Sequence, residues 1–288
     1  MRTVFSRGDG TADLARLLDG DAVRVGESVT DAAVHHRAEL LVARRPNAGR
    51  ELLPTAMPRD LALDRVGRVV AAVGGGPHSE LAASVAAAVA AALGVTSAMV
   101  CAYQEEEGPA AARATVDRIA DLVPELEPQV VEGHRVHDAL ALHGDQALLV
   151  VGAPGGSFLQ RQFLGPGARL IARAEVGAIV VRSAPARVFQ RMDQPVWVGR
   201  HLPASEALRA HPDIDPIPVV DHGAVVGTVG LADLVAVGDA TVEAAMRPAT
   251  VIEAADLLLG AAELGPGAIP VVHAGLLVGV LAPTPVGS

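Results

Sequence analysis

Ile217-Pro218-Val219-Val220 returns as Ile269-Pro270-Val271-Val272, and Gly223 and Gly227 return as Gly275 and Gly279 at the same offset. The last third of the chain is therefore a duplicated unit. In each copy an apolar run, a glycine turn and a second apolar run, Ala224 to Val229 or Leu276 to Leu281, predict two strands joined by a tight hairpin. A stretch with aliphatic residues at helical spacing comes first, Ala204 to Ala210 in one copy and Ile252 to Leu264 in the other. Two copies are too few for a solenoid, which needs at least three stacked units. They can instead pack face to face and leave clefts at a pseudo-twofold interface.

The middle of the chain has a different grammar. Leu148-Leu149-Val150-Val151 reads as a buried parallel strand, followed by Gly152 and Gly155 and then by Gly165-Pro166-Gly167, which opens the helix-like run Ala168 to Ala174. Glycines at a strand-to-helix turn allow backbone to approach an anion, and equally serve as turn and cap residues. Four more apolar runs bracket this one: Val69 to Val73, Ala98 to Ala102, Gln129 to Val131 and Ala178 to Val181. The alanine-rich helix Leu81 to Leu93 lies between the first two. That alternation predicts an α/β fold, a doubly wound parallel sheet with ligands at the carboxyl ends of its strands. Residues 1–65 read as a partial repeat of the same domain. Val25 to Ala32 parallels Glu132 to Ala139, and each leads into an aliphatic strand, Leu40 to Val42 or Leu148 to Val150. Without the later glycines, that first copy is expected to be a decayed C-terminal half. The expected domains are 1–65, 66–184 and 193–288, with a linker over Pro185 to Gln194.

Composition removes several classes. At 288 residues the chain is long enough for about two cored domains. A net charge of -10 and 2% aromatic residues oppose binding to a polyanion and leave few stacking platforms, so nucleic acid is not expected as a partner. All 23 basic residues are Arg, which rules out a Walker-type phosphate lysine and a Schiff-base lysine. The single cysteine, Cys101, falls in a buried strand and reads as an inert core thiol. Together with an N-terminus lacking an apolar run, it predicts a cytoplasmic protein without a membrane span. His134, His137 and His143, like His35 and His36, tempt a metal assignment. They fall mostly on the wet side of short helices, and no metal is expected. Ser157 lacks the closing glycine of a nucleophile elbow, and Ser79 stands where a dinucleotide fold needs its third glycine.

The C-terminal motifs, from about Asp193 to Pro285, resemble a tandem cystathionine-β-synthase-type (CBS) pair, an α+β regulatory module that binds adenosine-containing ligands in many families. The resemblance implies one nucleotide site in the first copy. There Gly227, Thr228 and Ile217 line the site, and Asp233 stands where the family's aspartate holds ribose hydroxyls. Gly230 replaces the usual Ser or Thr, and Gly279 to Pro285 in the second copy carries no carboxylate. An N-cap role for Asp233 is compatible with the same position. The middle motifs, from about Val66 to Ser183, resemble the universal stress protein fold. The resemblance implies a weak nucleotide loop at Gly152, Gly155, Gly165 and Gly167, since Gly74 replaces an expected acid and Pro166 an expected hydroxyl residue.

The combined expectation is a non-enzymatic regulatory protein. It senses AMP, ADP or ATP, chiefly through the CBS-like pair, and relays that state to a protein partner or to its own homodimer. The two resemblances imply that the homodimer pairs either along an open edge at Ala178 to Arg182 or through the CBS-like pair. The alternatives are an ATP-binding stress protein with slow hydrolysis or phosphotransfer at the glycine loop, and a ligand-free scaffold.

Overall fold

The computed structural model of the chain describes all residues except 7, 9, 20, 21, 27, 46–51, 105–107, 133–143, 154–173, 259–266 and 283–288. By its internal contacts the chain divides into two compact units, one of residues 1–29 and 38–184, the other of 30–37 and 185–288.

The first unit is a nine-stranded sheet. Residues 1–65 supply β1 (Thr3–Phe5), β2 (Val23–Arg24), β3 (Leu40–Val42) and β4 (Thr55–Arg59). They are followed by β5 (Arg68–Ala72), β6 (Thr96–Tyr103), β7 (Glu127–Glu132), β8 (Ala147–Gly152) and β9 (Ala178–Arg182). The order is β2-β1-β3-β4-β9-β8-β5-β6-β7. All of these pairings are parallel except β4 with β9. The order reverses at β5 and β8, which is the switch point of a doubly wound sheet. Strand residues alternate between two buried clusters, as a sheet covered on both faces requires. Val69, Met99, Leu148, Val150, Ile179 and Val181 face one; Val70, Val100, Leu149, Val151 and Val180 face the other.

The first of these faces also takes α1 (Thr11–Asp19), α3 (Pro77–Leu93) and α4 (Ala110–Leu122), through Leu14 and Leu18, Val85 and Val89, and Val116 and Ile119. Helix α3 starts with Pro77 in its first turn and stops at Gly94, whose φ of 67° closes the last turn in the left-handed region.

The order β2-β1-β3-β4 mirrors β6-β5-β8-β9, and α1 follows β1 as α3 follows β5. Residues 1–65 thus hold more than a C-terminal half, since β1, α1 and β2 have counterparts in the N-terminal half of the larger repeat. The expectation of an open edge at Ala178 to Arg182 is corrected by the same sheet. Strand β9 is internal, paired antiparallel with β4 from Thr55↔Arg182 to Arg59↔Ala178. The partial repeat supplies in the same chain the hydrogen-bond partner that the flat apolar strand would otherwise seek in a second molecule.

The second unit is built on a six-stranded sheet of β10 (Val198–Gly199), β11 (Ile217–Asp221), β12 (Ala224–Val229), β13 (Ile252–Glu253), β14 (Ile269–His273) and β15 (Leu276–Leu281). Its order, β10-β11-β12-β15-β14-β13, is palindromic about the β12·β15 pair Ala224↔Leu276. The two hairpins share one register, with an irregularity after Val219 and again after Val271. Their turns place φ near 49° and 85° at His222-Gly223 and near 51° and 81° at Ala274-Gly275. Two positive φ values in a row match the twist of the flanking strands. Helices α5 (Ala204–Ala210) and α6 (Leu231–Val237) cover the first copy through Ala204, Ala207 and Leu234, packed on Ile217, Val219 and Val229.

Each copy is completed by a segment of the other. Val188 and Phe189 donate main-chain bonds to the carbonyls of Asp256 and Ala254, and Val242 and Glu243 donate the same bonds to Leu202 and Arg200. Helix α2 (Val29–His36) belongs to this unit from Thr30 onward. There Asp31 and Glu253 bond the two ring nitrogens of His273, at 2.7 and 2.9 Å.

Candidate functional site

In the first copy of the hairpin unit, β12 runs through Gly230 into α6, and the first free helix N–H, that of Leu231, is taken by Asp215 Oδ1 at 3.2 Å. The N-cap residue is therefore Gly230, with Asp215 satisfying the helix N–H from outside the helix, and Asp233 is not the N-cap. The N-cap alternative for Asp233 is corrected accordingly. Asp233 lies in the first turn of α6, where the helix dipole favours a carboxylate, and its Oδ1 accepts from Arg247 Nη2 at 2.5 Å. Arg247 is brought there by main-chain bonds in both directions with Thr228, 2.8 and 2.9 Å long. A Cβ at Gly230 would stand 3.1 Å from Asp233 Oδ2 and 3.4 Å from Asp215 Oδ1. The glycine that replaces Ser or Thr thus leaves room for two carboxylates above the start of α6.

The other three expected contact residues have packing roles. Ile217 is fully buried in the core. Gly227 is covered by the incoming second segment: a Cβ there would collide with Met246 and lie 2.7 Å from the Arg247 carbonyl oxygen. Thr228 is half-buried and spends its main-chain groups on Arg247. The second copy repeats the arrangement, with a Cβ at Gly279 falling 2.7 Å from both Met192 Sδ and the Asp193 oxygen. Asp215 and Arg247 are the participants that motif reading missed. The repeat contained a signal for one of them, because Met246-Arg247 stands in the second copy where Met192-Asp193 stands in the first.

At the switch point of the larger sheet, β5 ends in the exposed glycines Gly74 to Gly76, of which Gly75 has φ of 83°. Ser79 Oγ accepts the Gly74 N–H at 2.9 Å. His78 Nδ1 accepts the Ser183 N–H at 3.1 Å and lies 2.8 Å from Ser183 Oγ. A backbone N–H can only donate, so Nδ1 is the acceptor and the hydroxyl donates to it. Gly152 is explained by this contact, since a Cβ there would stand 2.8 Å from His78 Cβ. Gly152 thus allows close packing of α3 against β8. Gly155, Gly165 and Gly167 lie outside the described residues, as do His134, His137 and His143. A Cβ at Gly74 would meet nothing within 4 Å, so the acid of the stress-protein pattern has room there.

Among the described residues there is no group of three or more His, Cys, Asp or Glu that could hold a metal ion, and no helix long and apolar enough to cross a membrane. Cys101 is buried, and burial raises its thiol pKa.

Two kinds of solved structure resemble the chain. A universal stress protein from Archaeoglobus fulgidus is 12% identical over 57% of this chain and 70% of its own, with a TM-score of 0.39. A universal stress protein in complex with cAMP is 22% identical over 41% of this chain and 97% of its own, with a TM-score of 0.34. A CBS domain-containing protein from Thermotoga maritima is 18% identical over 31% of this chain and 80% of its own, with a TM-score of 0.28. No protein-family model matches the chain, and no curated protein does.

Proposed function

We propose that this chain is a regulatory protein of the stress-response type that senses an adenine nucleotide at the start of α6, without catalytic chemistry of its own. The observation that carries this reading is the convergence of Asp233, Asp215 and Arg247 at that helix start, with Arg247 delivered by the segment that crosses from the second copy. The Asp233–Arg247 pair is largely exposed on its arginine side, and such pairs hold their geometry by little free energy. A ribose diol can therefore replace the guanidinium on Asp233, which frees Arg247 to meet the phosphate. Because Arg247 and Thr228 are bonded through their main chains, occupancy alters the segment that joins the two copies. That segment is the relay toward a partner or a second copy of the chain.

Titration calorimetry of the full chain with AMP, ADP and ATP tests the proposal. Loss of a charge-assisted ribose contact in Asp233→Ala weakens binding about ten-fold to a hundred-fold. Equal affinity in a folded Asp233→Ala protein removes the site, and no binding to either protein leaves the scaffold reading. Sustained release of ADP at saturating ATP would replace the non-enzymatic reading with the hydrolytic one.

A further inference from the structure

Apart from the Asp233 site, the hairpin unit contains a cleft of about 790 Å³, lined among others by Trp197, Arg200, His201, His211, Asp221 and His222. It lies at the turn end of the first hairpin. Asp233 follows the opposite end, four residues or about 13 Å along β11 at the usual strand rise. The volume is that of a small-molecule site.

The duplication provides an internal control on what these side chains are for. Val251 stands where Trp197 stands, Ala254 for Arg200, His273 for Asp221 and Ala274 for His222. Both turns have the same backbone angles, and Val251 and Trp197 are similarly exposed, at 44% and 52%. The second copy therefore builds the same scaffold without an indole, a guanidinium or this aspartate. The fold does not demand them, and an indole half in water leaves unburied the surface that makes it an effective packing group.

The charges in the cleft restrict its ligand. Arg200 donates to Asp221 Oδ2 at 3.2 Å and also to Glu243, so its positive charge is already balanced. A polyphosphate finds no uncompensated cation at these positions. What the cleft offers is one aromatic face, one carboxylate acceptor and the three imidazoles of His201, His211 and His222, which donate or accept. We infer that it binds an uncharged planar heterocycle of the size of a purine nucleoside, stacked on Trp197 with its polar edge toward Asp221 and His222.

Trp197 is the only tryptophan in the chain, so its emission reports on this cleft alone. Adenosine and inosine serve as probes with the full-length protein. Saturable quenching is expected on titration, with a matching calorimetric isotherm. Trp197→Leu lowers the affinity about ten-fold to a hundred-fold, the usual effect of losing an aromatic platform under a base. Trp197→Phe, which keeps a ring, retains most of it, and the calorimetry is done in an Asp233→Ala background so that ribose binding at the start of α6 does not contribute. The inference is overturned by absence of quenching and heat with both nucleosides, by wild-type affinity in Trp197→Leu, or by emission that follows protein concentration instead of nucleoside, which would make the face an interface between copies. Trp197 emission and the Asp233→Ala background separate these outcomes from the Asp233 site, whose failure shows only as AMP, ADP and ATP affinities that ignore Asp233→Ala.

Discussion

Gly177 sits where two segments of the chain cross and the backbone leaves no space for a side chain. Its φ is 94°, and a Cβ would fall 2.5 Å from the Asp60 carbonyl oxygen and 2.6 Å from that of Arg59. Neither oxygen can rotate away, so Gly177→Ala requires the end of β4 to move. We expect it to cost about 3 kcal/mol or more, as backbone strain adds to overpacking. Gly227→Ala meets a flexible methionine and one carbonyl, and is expected to cost about 1–3 kcal/mol. Gly26→Ala, with nothing within 4 Å of the added methyl, is the control. Denaturant midpoints of the three variants check the ranking, and a Gly177→Ala protein as stable as Gly26→Ala contradicts the crossing. Asp215→Ala removes the acceptor of a helix N–H and is expected to cost about 1 kcal/mol in the same assay.

At the scale of an element, helix α2 buries Ala33 and Val34 and is tied through Asp31 to an imidazole that stands between two carboxylates. Partial burial opposes the charged form of His273, but bonds to Asp31 and then Glu253 outweigh it, and the net pKa is raised. A raised histidine contributes stability that is fully present below its ordinary pKa of about 6.5 and is lost as pH rises through the folded value. His36 on the same helix acts oppositely. Burial first, and then neighbouring His35, lower its pKa, so its contribution is present above the ordinary value and fades on acidification. In a His36→Gln background, hydrogen exchange of residues 30–36, corrected for intrinsic rates, is expected to be more protected at pH 6 than at pH 8.5. Adding His273→Gln should abolish that difference. A difference that survives would assign the anchoring of α2 to other contacts.

At the scale of the whole molecule, the antiparallel pairing of β4 with β9 changes the expected assembly. Val180 is buried and pairs with Met57, inside one chain. Val180→Arg therefore places a charge in a core, a change expected to remove several kcal/mol of stability, instead of parting two subunits. Thermal unfolding and sedimentation of the same variant decide between the two. A lowered transition with unchanged sedimentation below it fits the closed strand, whereas a dimer becoming a well-folded monomer would require β9 to pair between molecules. Any homodimer of the full chain must use another surface.

The elements legible in the sequence are those whose causes are local. Ala224–Val229, Leu276–Leu281, Leu40–Val42 and Ala204–Ala210 fall on the boundaries read from apolar runs and turn residues, because strand period, turn glycines and helical spacing are written within a few residues. The doubly wound sheet was legible for a similar reason: strands buried on both faces read as continuous apolar runs. What closes β9 was not legible, since an edge is completed by backbone N–H and C=O groups that every residue carries, and an apolar strand reads alike whether its partner is in the same chain or another. Nor was the convergence of Asp215, Asp233 and Arg247. An ion pair between residues distant in sequence leaves no periodic trace, and only the reciprocal crossing of the two copies brings Arg247 to Asp233 and lays Met246 over Gly227.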